Sequence, residues 1–90
     1  MKIAVITGAS SGIGREFVRQ LDADERFDEL WLVARRRERL EELQSEVRAP
    51  IRALALDLTQ QESLDAYAAL LEEHKPEIAV LVNASGFGHF

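Results

Sequence analysis

The chain contains no cysteine, which excludes disulfide bonds, thiol nucleophiles and thiolate metal ligands. Long apolar runs are also missing. None could span a bilayer, and the four-residue run at positions 3–6 is too short for the core of a signal peptide. Since the lack of cysteine also suits a reducing compartment, we expect a cytoplasmic protein with no membrane partner.

Positive charge is in short supply, with eleven Lys and Arg against sixteen Asp and Glu and a formal net charge of -5. This balance opposes a general affinity for nucleic acid or anionic membranes. Any phosphate binding must therefore come from a few placed groups. With 90 residues, 47% of them hydrophobic, the chain is long enough for one globular domain. No cluster of metal-ligating residues can be assembled from it.

Glycine is sparse, yet three of the five glycines fall within residues 7–14, Thr-Gly-Ala-Ser-Ser-Gly-Ile-Gly. This stretch lies between the apolar run at 3–6 and a helical pattern. We expect Gly8 to permit a tight exit from the strand, Gly12 to leave room for a pyrophosphate, and Gly14 to let the helix approach the sheet. The alternative is a plain turn without a ligand.

The first turn of that helix has backbone amides without intrahelical acceptors, and its positive dipole end favours an anion. Ser10 or Ser11 can cap it. We therefore count Ser10, Ser11 and Ile13 with the three glycines as candidate phosphate-binding residues.

The rest of the chain alternates strands and helices. Apolar runs at 30–34, 51–56 and 78–82 predict three further strands, and helical spacing predicts helices at about 12–21, 37–47 and after Thr59. Right-handed crossovers then predict an α/β fold, a Rossmann-like doubly wound parallel sheet of four strands in order 3-2-1-4 with three helices.

Two helices have predicted inner faces. We expect the first helix to bury a stripe formed by Ile13, Phe17 and Leu21. The third helix is expected to begin with a capping box of Thr59 and Glu62. Its expected inner stripe consists of Leu64, Ala68 and Leu71, with Tyr67 on the flank.

Three consecutive arginines, Arg35 to Arg37, follow the second strand, and no acidic residue lies between Leu30 and Arg37. Arginines at a helix start oppose the helix dipole, whereas a bound 2'-phosphate would pair with guanidinium groups. We therefore predict NADP as the cofactor, with NAD less favoured. Arg35 is the expected principal contact and Arg36 the second, while Arg37 and Arg39 are expected to face solvent or nearby glutamates. The alternative is a solvated basic patch whose positive charge is balanced by Glu38, Glu41 and Glu42 along the helix.

Together with its flanks, the loop at 7–14 resembles the cofactor loop of the short-chain dehydrogenase/reductase family. Its spacing, Gly-x-x-x-Gly-x-Gly, differs from the Gly-x-Gly-x-x-Gly fingerprint of other dinucleotide-binding proteins. The resemblance covers the whole chain but only the first half of a family member. It implies a dinucleotide partner and, for the complete protein, reversible hydride transfer between a carbonyl compound and an alcohol.

Residues after the third and fourth strands add to this resemblance. It implies that Asp57 accepts a hydrogen bond from the adenine amino group, with the Leu58 amide alongside; the alternative is that Asp57 caps the following helix. Residues 83–86, Asn-Ala-Ser-Gly, stand where the family has Asn-Asn-Ala-Gly. Asn83 and Gly86 match the first and last positions, while Ala84 and Ser85 depart. The resemblance implies that the backbone passes the cofactor ribose here, which small residues still permit.

The family's catalytic groups, a Ser and a Tyr-x-x-x-Lys pair beyond the fourth strand, have no counterpart. The only tyrosine, Tyr67, is followed four residues later by Leu71. His89 is expected to have no catalytic role and His74 to be solvated. We therefore predict the NADP-binding half of an oxidoreductase, without catalytic residues of its own.

Two alternatives to this function remain open. One is a non-catalytic nucleotide-binding module, and the other is a self-associating α/β fragment. In either case the fourth strand would leave an apolar open edge, which we expect to pair with another copy of the chain or with further residues of a longer protein.

Overall fold

The fold is a parallel sheet with helices on both faces. The computed structural model describes residues 1–24 and 26–84. Within them the sheet has four strands, β1 (Lys2–Thr7), β2 (Glu29–Ala34), β3 (Ile51–Ala55) and β4 (Glu77–Asn83), in the order β3-β2-β1-β4. The helices are α1 (Gly12–Ala23), α2 (Arg37–Glu42) and α3 (Gln61–His74). The predicted fold class and strand order are confirmed.

The two central strands, β1 and β2, are buried on both faces, as their almost uninterrupted apolar sequences predict for a parallel sheet. Side chains alternate between the faces. One face carries Ala4, Ile6, Leu30 and Leu32, covered by α1 and α2; the other carries Ile3, Val5, Trp31 and Val33, covered by α3. This burial fixes β1 and β2 as the frame from which the connecting loops project.

The turn between β1 and α1 depends on two glycines. Gly8 adopts a left-handed backbone conformation, with φ of 69°, and its amide donates to the carbonyl of Val33 at 2.8 Å. Gly14 lies directly against this turn. A Cβ added there would collide with the Gly8 carbonyl oxygen and come within 2.9 Å of the Ala9 Cα. The predicted roles of Gly8 and Gly14 in backbone geometry are therefore confirmed.

The first two helices differ in part from their predicted form. Gly14 and Val18 are the buried residues of α1, while Ile13 is 50% exposed, so the predicted inner stripe is wrong at its first position. The close approach at Gly14 turns that side of the helix toward the sheet and Ile13 away from it. The second helix ends at Glu42 and continues as a 3₁₀ turn, Leu43–Ser45, rather than reaching position 47.

The third helix is rotated relative to the prediction. Its N-cap is Gln60, so the capping box of Thr59 and Glu62 is wrong. Tyr67, Leu70 and Leu71 pack against the sheet, whereas Leu64 is 41% exposed and Ala68 is also exposed. The spacing i, i+3, i+4 puts Tyr67 with two leucines on one face, and this face carries more apolar area than the predicted one.

His74 also lies closer to the core than predicted. Its ring stands edge-on to the buried Trp31 ring, with 5.7 Å between the ring centroids. It is half-buried at the end of α3 rather than fully solvated.

The outer strand β4 is much more exposed than the central strands. Among the described residues its only strand neighbour is β1, and Leu81 and Ile78 are 64% and 40% exposed. The open apolar edge expected from the sequence is therefore present in residues 77–83. No helix in the described ranges is long and apolar enough to cross a membrane.

Replacing Gly14 by alanine should destabilise the protein by about 3 kcal/mol or more, because the new Cβ meets backbone atoms that cannot turn aside. The matched control is Gly12→Ala. A Cβ at Gly12 has nothing within 4 Å, and alanine favours a helix, so its stability should be unchanged or slightly higher. Urea unfolding followed by the fluorescence of Trp31, the single tryptophan, measures both. Equal stability of the two variants would contradict this account.

Candidate functional site

The carboxyl ends of the strands bring the predicted site residues to one edge of the sheet. Thr7, the last residue of β1, is paired with Val33 of β2 and with Asn83 of β4. Ala34 of β2 is paired with Ala55 of β3. The segments that follow these strands therefore leave the sheet side by side, and open α/β sheets bind ligands at this edge.

Ser11 caps α1. Its hydroxyl accepts the amide of Gly14 at 3.0 Å and donates to the Gly8 carbonyl at 2.9 Å, so of the two serines left open by the sequence it is Ser11 that is the cap. Ser10 lies in the turn before it and is partly exposed. The capping bond satisfies one amide of the first turn and leaves others available.

The amides of Gly12 and Ile13 are the available ones, since no carbonyl of the helix can accept them at these positions. The space beside Gly12 is open, with no atom within 4 Å of the position that a Cβ would take. A ligand phosphate could therefore approach this backbone closely. The open space beside Gly12 and the sign of the helix dipole are both compatible with a phosphate group.

The arginine run begins directly after β2. Arg35 and Arg36 are exposed, and neither makes a hydrogen bond or ion pair within residues 1–24 and 26–84. Arg36 is the N-cap residue of α2, with extended backbone and no capping bond from its side chain. Arg37 is exposed, as expected, but it differs from both because its guanidinium also donates to the Ala53 carbonyl at 3.3 Å.

Asp57 follows β3 and is held by Thr59. Its Oδ1 accepts the Thr59 hydroxyl at 2.6 Å and the Thr59 amide at 3.0 Å. These two bonds, with a smaller contribution from the positive charge of Arg35, hold the pKa of the Asp57 carboxyl below its ordinary value, although partial burial opposes them. The carboxyl is thus ionised and an acceptor at neutral pH.

The alternative role of Asp57 as a helix cap is not the one seen. Its carboxylate binds Thr59, which precedes the helix, whereas a cap would accept amides of the first helical turn. Leu58 lies next to it and packs its side chain against the core on the α3 face. The side chain of Leu58 is thereby anchored while its backbone stays at the edge of the sheet.

Asn83 ends β4 beside Thr7. The Thr7 hydroxyl donates to Asn83 Oδ1 at 2.8 Å, which joins the ends of β1 and β4. Ala84, the next residue, is buried. Gly86 and His89, for which the sequence predicts a cofactor contact and no catalytic role respectively, lie outside the described residues.

The sequence missed two residues that organise this edge. Thr7 was read only as part of the glycine loop, although its register with Asn83 puts the two side chains together. Thr59 was assigned to a helix cap, whereas an Asp two residues before a Thr is also the pattern of a local turn closed by the Asp side chain. No group of three or more His, Asp or Glu residues in the described part of the chain is arranged to hold a metal ion.

A parallel sheet in the order 3-2-1-4, with a glycine turn and a helix amino end at its carboxyl edge, defines a protein of the dinucleotide-binding class. Comparison with known families narrows this class. The model of the family described as short chain dehydrogenase matches residues 2–90, and the chain belongs to this family.

Individual relatives agree with this assignment. The sulfoacetaldehyde reductase of Chromohalobacter salexigens is 39% identical over 83 residues, which are 90% of this chain and 32% of the relative. A short-chain dehydrogenase from Sphingobium yanoikuyae, solved in complex with NADPH, is 34% identical with a TM-score of 0.76, and the match covers 90% of this chain and 32% of that one.

A third relative shares the fold alone. A 4-hydroxyisoleucine dehydrogenase, solved with NADH, has a TM-score of 0.76 at 24% identity, over 97% of this chain and 35% of that one. The chain thus spans about a third of the length of these relatives. The cofactor solved with another protein does not carry over to this chain, so the choice between NADP and NAD must be argued from its own residues.

Removing the cap by Ser11→Ala should cost about 1 kcal/mol of stability, because the Gly14 amide loses its acceptor. Ser10→Ala is the control, since the Ser10 side chain makes no hydrogen bond with the described residues, and it should stay within about 0.5 kcal/mol of the parent. Chemical unfolding of the three proteins side by side gives both values. A loss that is equal for the two serines would show that Ser11 is not the cap.

Proposed function

We propose that these ninety residues bind NADP for a short-chain dehydrogenase/reductase-type oxidoreductase. The amides of Gly12 and Ile13 hold the diphosphate, with Gly8, Ser10, Ser11 and Gly14 shaping the turn around it. Arg35 and Arg36 hold the 2'-phosphate, and Asp57 and Leu58 border the adenine. The backbone of Asn83, Ala84 and Gly86 runs past the ribose next to the nicotinamide. When bound, the dinucleotide supplies the hydride for interconversion of a carbonyl compound and an alcohol.

The observation that carries the proposal is the state of Arg35 and Arg36. Both guanidinium groups are exposed at the same edge as the open amides of α1, and neither pairs with a glutamate of α2 in the described ranges. This argues against a basic patch that merely balances Glu38, Glu41 and Glu42. Exposed guanidinium groups that make no hydrogen bond or ion pair in these ranges favour an anionic ligand, because guanidinium groups bind phosphate oxygens in pairs.

The chain's own part in the chemistry is to bind and orient. Its single tyrosine, Tyr67, packs against the sheet on the α3 face, and burial raises its pKa, which is the wrong direction for a general acid/base at neutral pH. We therefore propose that the proton-transferring groups of the complete protein are not among these ninety residues. For the isolated chain, this observation favours the second candidate, a nucleotide-binding module without catalysis.

Calorimetric titration with 2',5'-ADP and 5'-AMP tests the cofactor assignment. The parent chain should prefer 2',5'-ADP by about tenfold or more, the effect expected of a charge-assisted hydrogen bond. Arg35→Ala should abolish most of that preference while leaving 5'-AMP binding in place, and added salt should weaken it. Arg39→Ala, which removes an exposed arginine of the following helix α2, is the control and should keep the preference. Equal affinity of the parent chain for both nucleotides would refute the assignment.

We also propose that the isolated ninety-residue chain self-associates through β4. An edge strand presents unpaired amides and carbonyls, and Leu81 and Ile78 add exposed apolar surface beside them. Pairing of two such edges would satisfy the backbone groups and cover the apolar side chains together.

Sedimentation of the chain over a series of rising concentrations should therefore show an increasing share of dimers or larger species. Leu81→Lys should shift the population to monomer, because edge lysines oppose strand pairing. Leu64→Lys places the same charge on the exposed side of α3 and should leave association unchanged. A parent chain that sediments as monomer throughout would rule out this mode of association.

A further inference from the structure

Selection of the base by Asp57 presupposes the proposed function. Asp57 lies two residues after the end of β3, on a segment that is neither strand nor helix. A carboxylate on such a segment can adopt several rotamers, and each points its lone pairs differently. Selecting one hydrogen-bond donor of a base requires that one of these orientations be held.

Both the side chain and the backbone of Asp57 are held by hydrogen bonds. On the side-chain end, Oδ1 accepts two hydrogen bonds from Thr59, at 2.6 Å from the hydroxyl and 3.0 Å from the amide. On the backbone end, the Asp57 amide donates to the Ser63 hydroxyl at 3.1 Å, which ties the residue to the first turn of α3. The two bonds to Oδ1 hold this oxygen against Thr59 and so restrict the rotamers of the carboxylate.

The second carboxylate oxygen of Asp57, Oδ2, remains available to a ligand. Asp57 Oδ2 has no hydrogen-bond partner in residues 1–24 and 26–84. Because the carboxyl is ionised, this oxygen can only accept, so it selects a group with a hydrogen to donate. A 6-amino group of a purine meets that demand, whereas a 6-oxo group would present one acceptor to another.

We propose that Thr59 is a positioning residue, which holds Asp57 Oδ1 so that Oδ2 faces the 6-position of the bound purine and discriminates adenine from hypoxanthine. Thr59 itself need not touch the cofactor. Its hydroxyl donates to Asp57 Oδ1 at 2.6 Å, so it acts on the ligand through Asp57, and because Thr59 is exposed it adds nothing to the apolar core.

The test compares NADP with its hypoxanthine analogue, which carries an oxo group in place of the 6-amino group. The parent chain should bind NADP about tenfold or more tightly than the analogue, as expected when a charged acceptor loses its donor. In Thr59→Val, which keeps the shape and removes the hydroxyl, the ratio should fall to about two- or threefold. Thr59→Ser restores the hydroxyl and should restore the ratio.

Two further readouts separate positioning from general damage. The preference of Thr59→Val for 2',5'-ADP over 5'-AMP should equal that of the parent, because Arg35 is untouched. Carboxyl carbon NMR of the ligand-free chain should show the pKa of Asp57 rising toward its ordinary value in Thr59→Val, since the largest cause of its lowering is gone.

The outcomes distinguish this inference from the function on which it rests. If the parent chain binds neither NADP nor its analogue, the proposed function fails and the inference with it. If the parent binds both equally, or if Thr59→Val discriminates as well as the parent, the proposed function stands and the positioning role is overturned. An unchanged pKa of Asp57 in Thr59→Val would overturn it as well.

Discussion

The arrangement depends on one backbone contact, the approach of Gly14 in α1 to the Gly8 carbonyl at the end of β1. Any side chain at position 14 would push the helix away from the sheet. With the helix this close, its amino end opens at the same edge where β2 and β3 end, and the Ser11 cap leaves the Gly12 and Ile13 amides free. The glycine loop therefore acts first on packing, and its capacity for an anion follows from that packing.

Charge is distributed to suit this geometry. The chain is acidic overall, so a phosphate-bearing ligand meets no general attraction. At the sheet edge, however, the helix dipole and the unpaired guanidinium groups of Arg35 and Arg36 supply local positive potential. Elsewhere, arginines are used for structure. Arg15 and Arg19 both pair with Glu46, at 2.9 and 2.6 Å, which joins α1 to the connection before β3 and lowers the pKa of Glu46. Among the described residues, Arg35 and Arg36 make no such pair and lie where a ligand is proposed, although Arg39 on α2 is likewise without one.

The sheet could be predicted from the sequence because its strands carry their own signal. The apolar runs of β1 and β2 have no polar face, which only burial on both sides can explain, and the connecting helices then require parallel strands. Which face of each helix is buried was harder to predict. In α3, leucines and alanines occur on more than one side, so periodicity alone could not choose between Leu64 and Leu70. The choice was made by the surface of the sheet, which accepts the Tyr67 ring.

For the site, too, only part of the arrangement could be predicted from the sequence. Positions after the strands could be predicted, since parallel strands end at a shared edge, but pairings between side chains could not. The bond from Thr7 to Asn83 joins residues that are 76 positions apart and depends on the register of β1 and β4. At Thr59, two local patterns competed for one side chain: a helix cap with Glu62 and a turn closed by Asp57. The turn formed because its two bonds to one carboxylate oxygen are charge-assisted, whereas a threonine cap offers one neutral bond.

The two ends of the proposed adenosine pocket differ in how far their side chains are ordered before a ligand binds. Asp57 is fixed before any ligand arrives, so a hydrogen bond to it costs little conformational entropy. Arg35 and Arg36 are exposed and must be immobilised when they bind, and the cost of ordering such side chains offsets part of their attraction for a phosphate. Recognition of the base is therefore set by geometry that the fold supplies in advance. Recognition of the 2'-phosphate is set by charge, so it should respond more strongly to ionic strength than the base contact does.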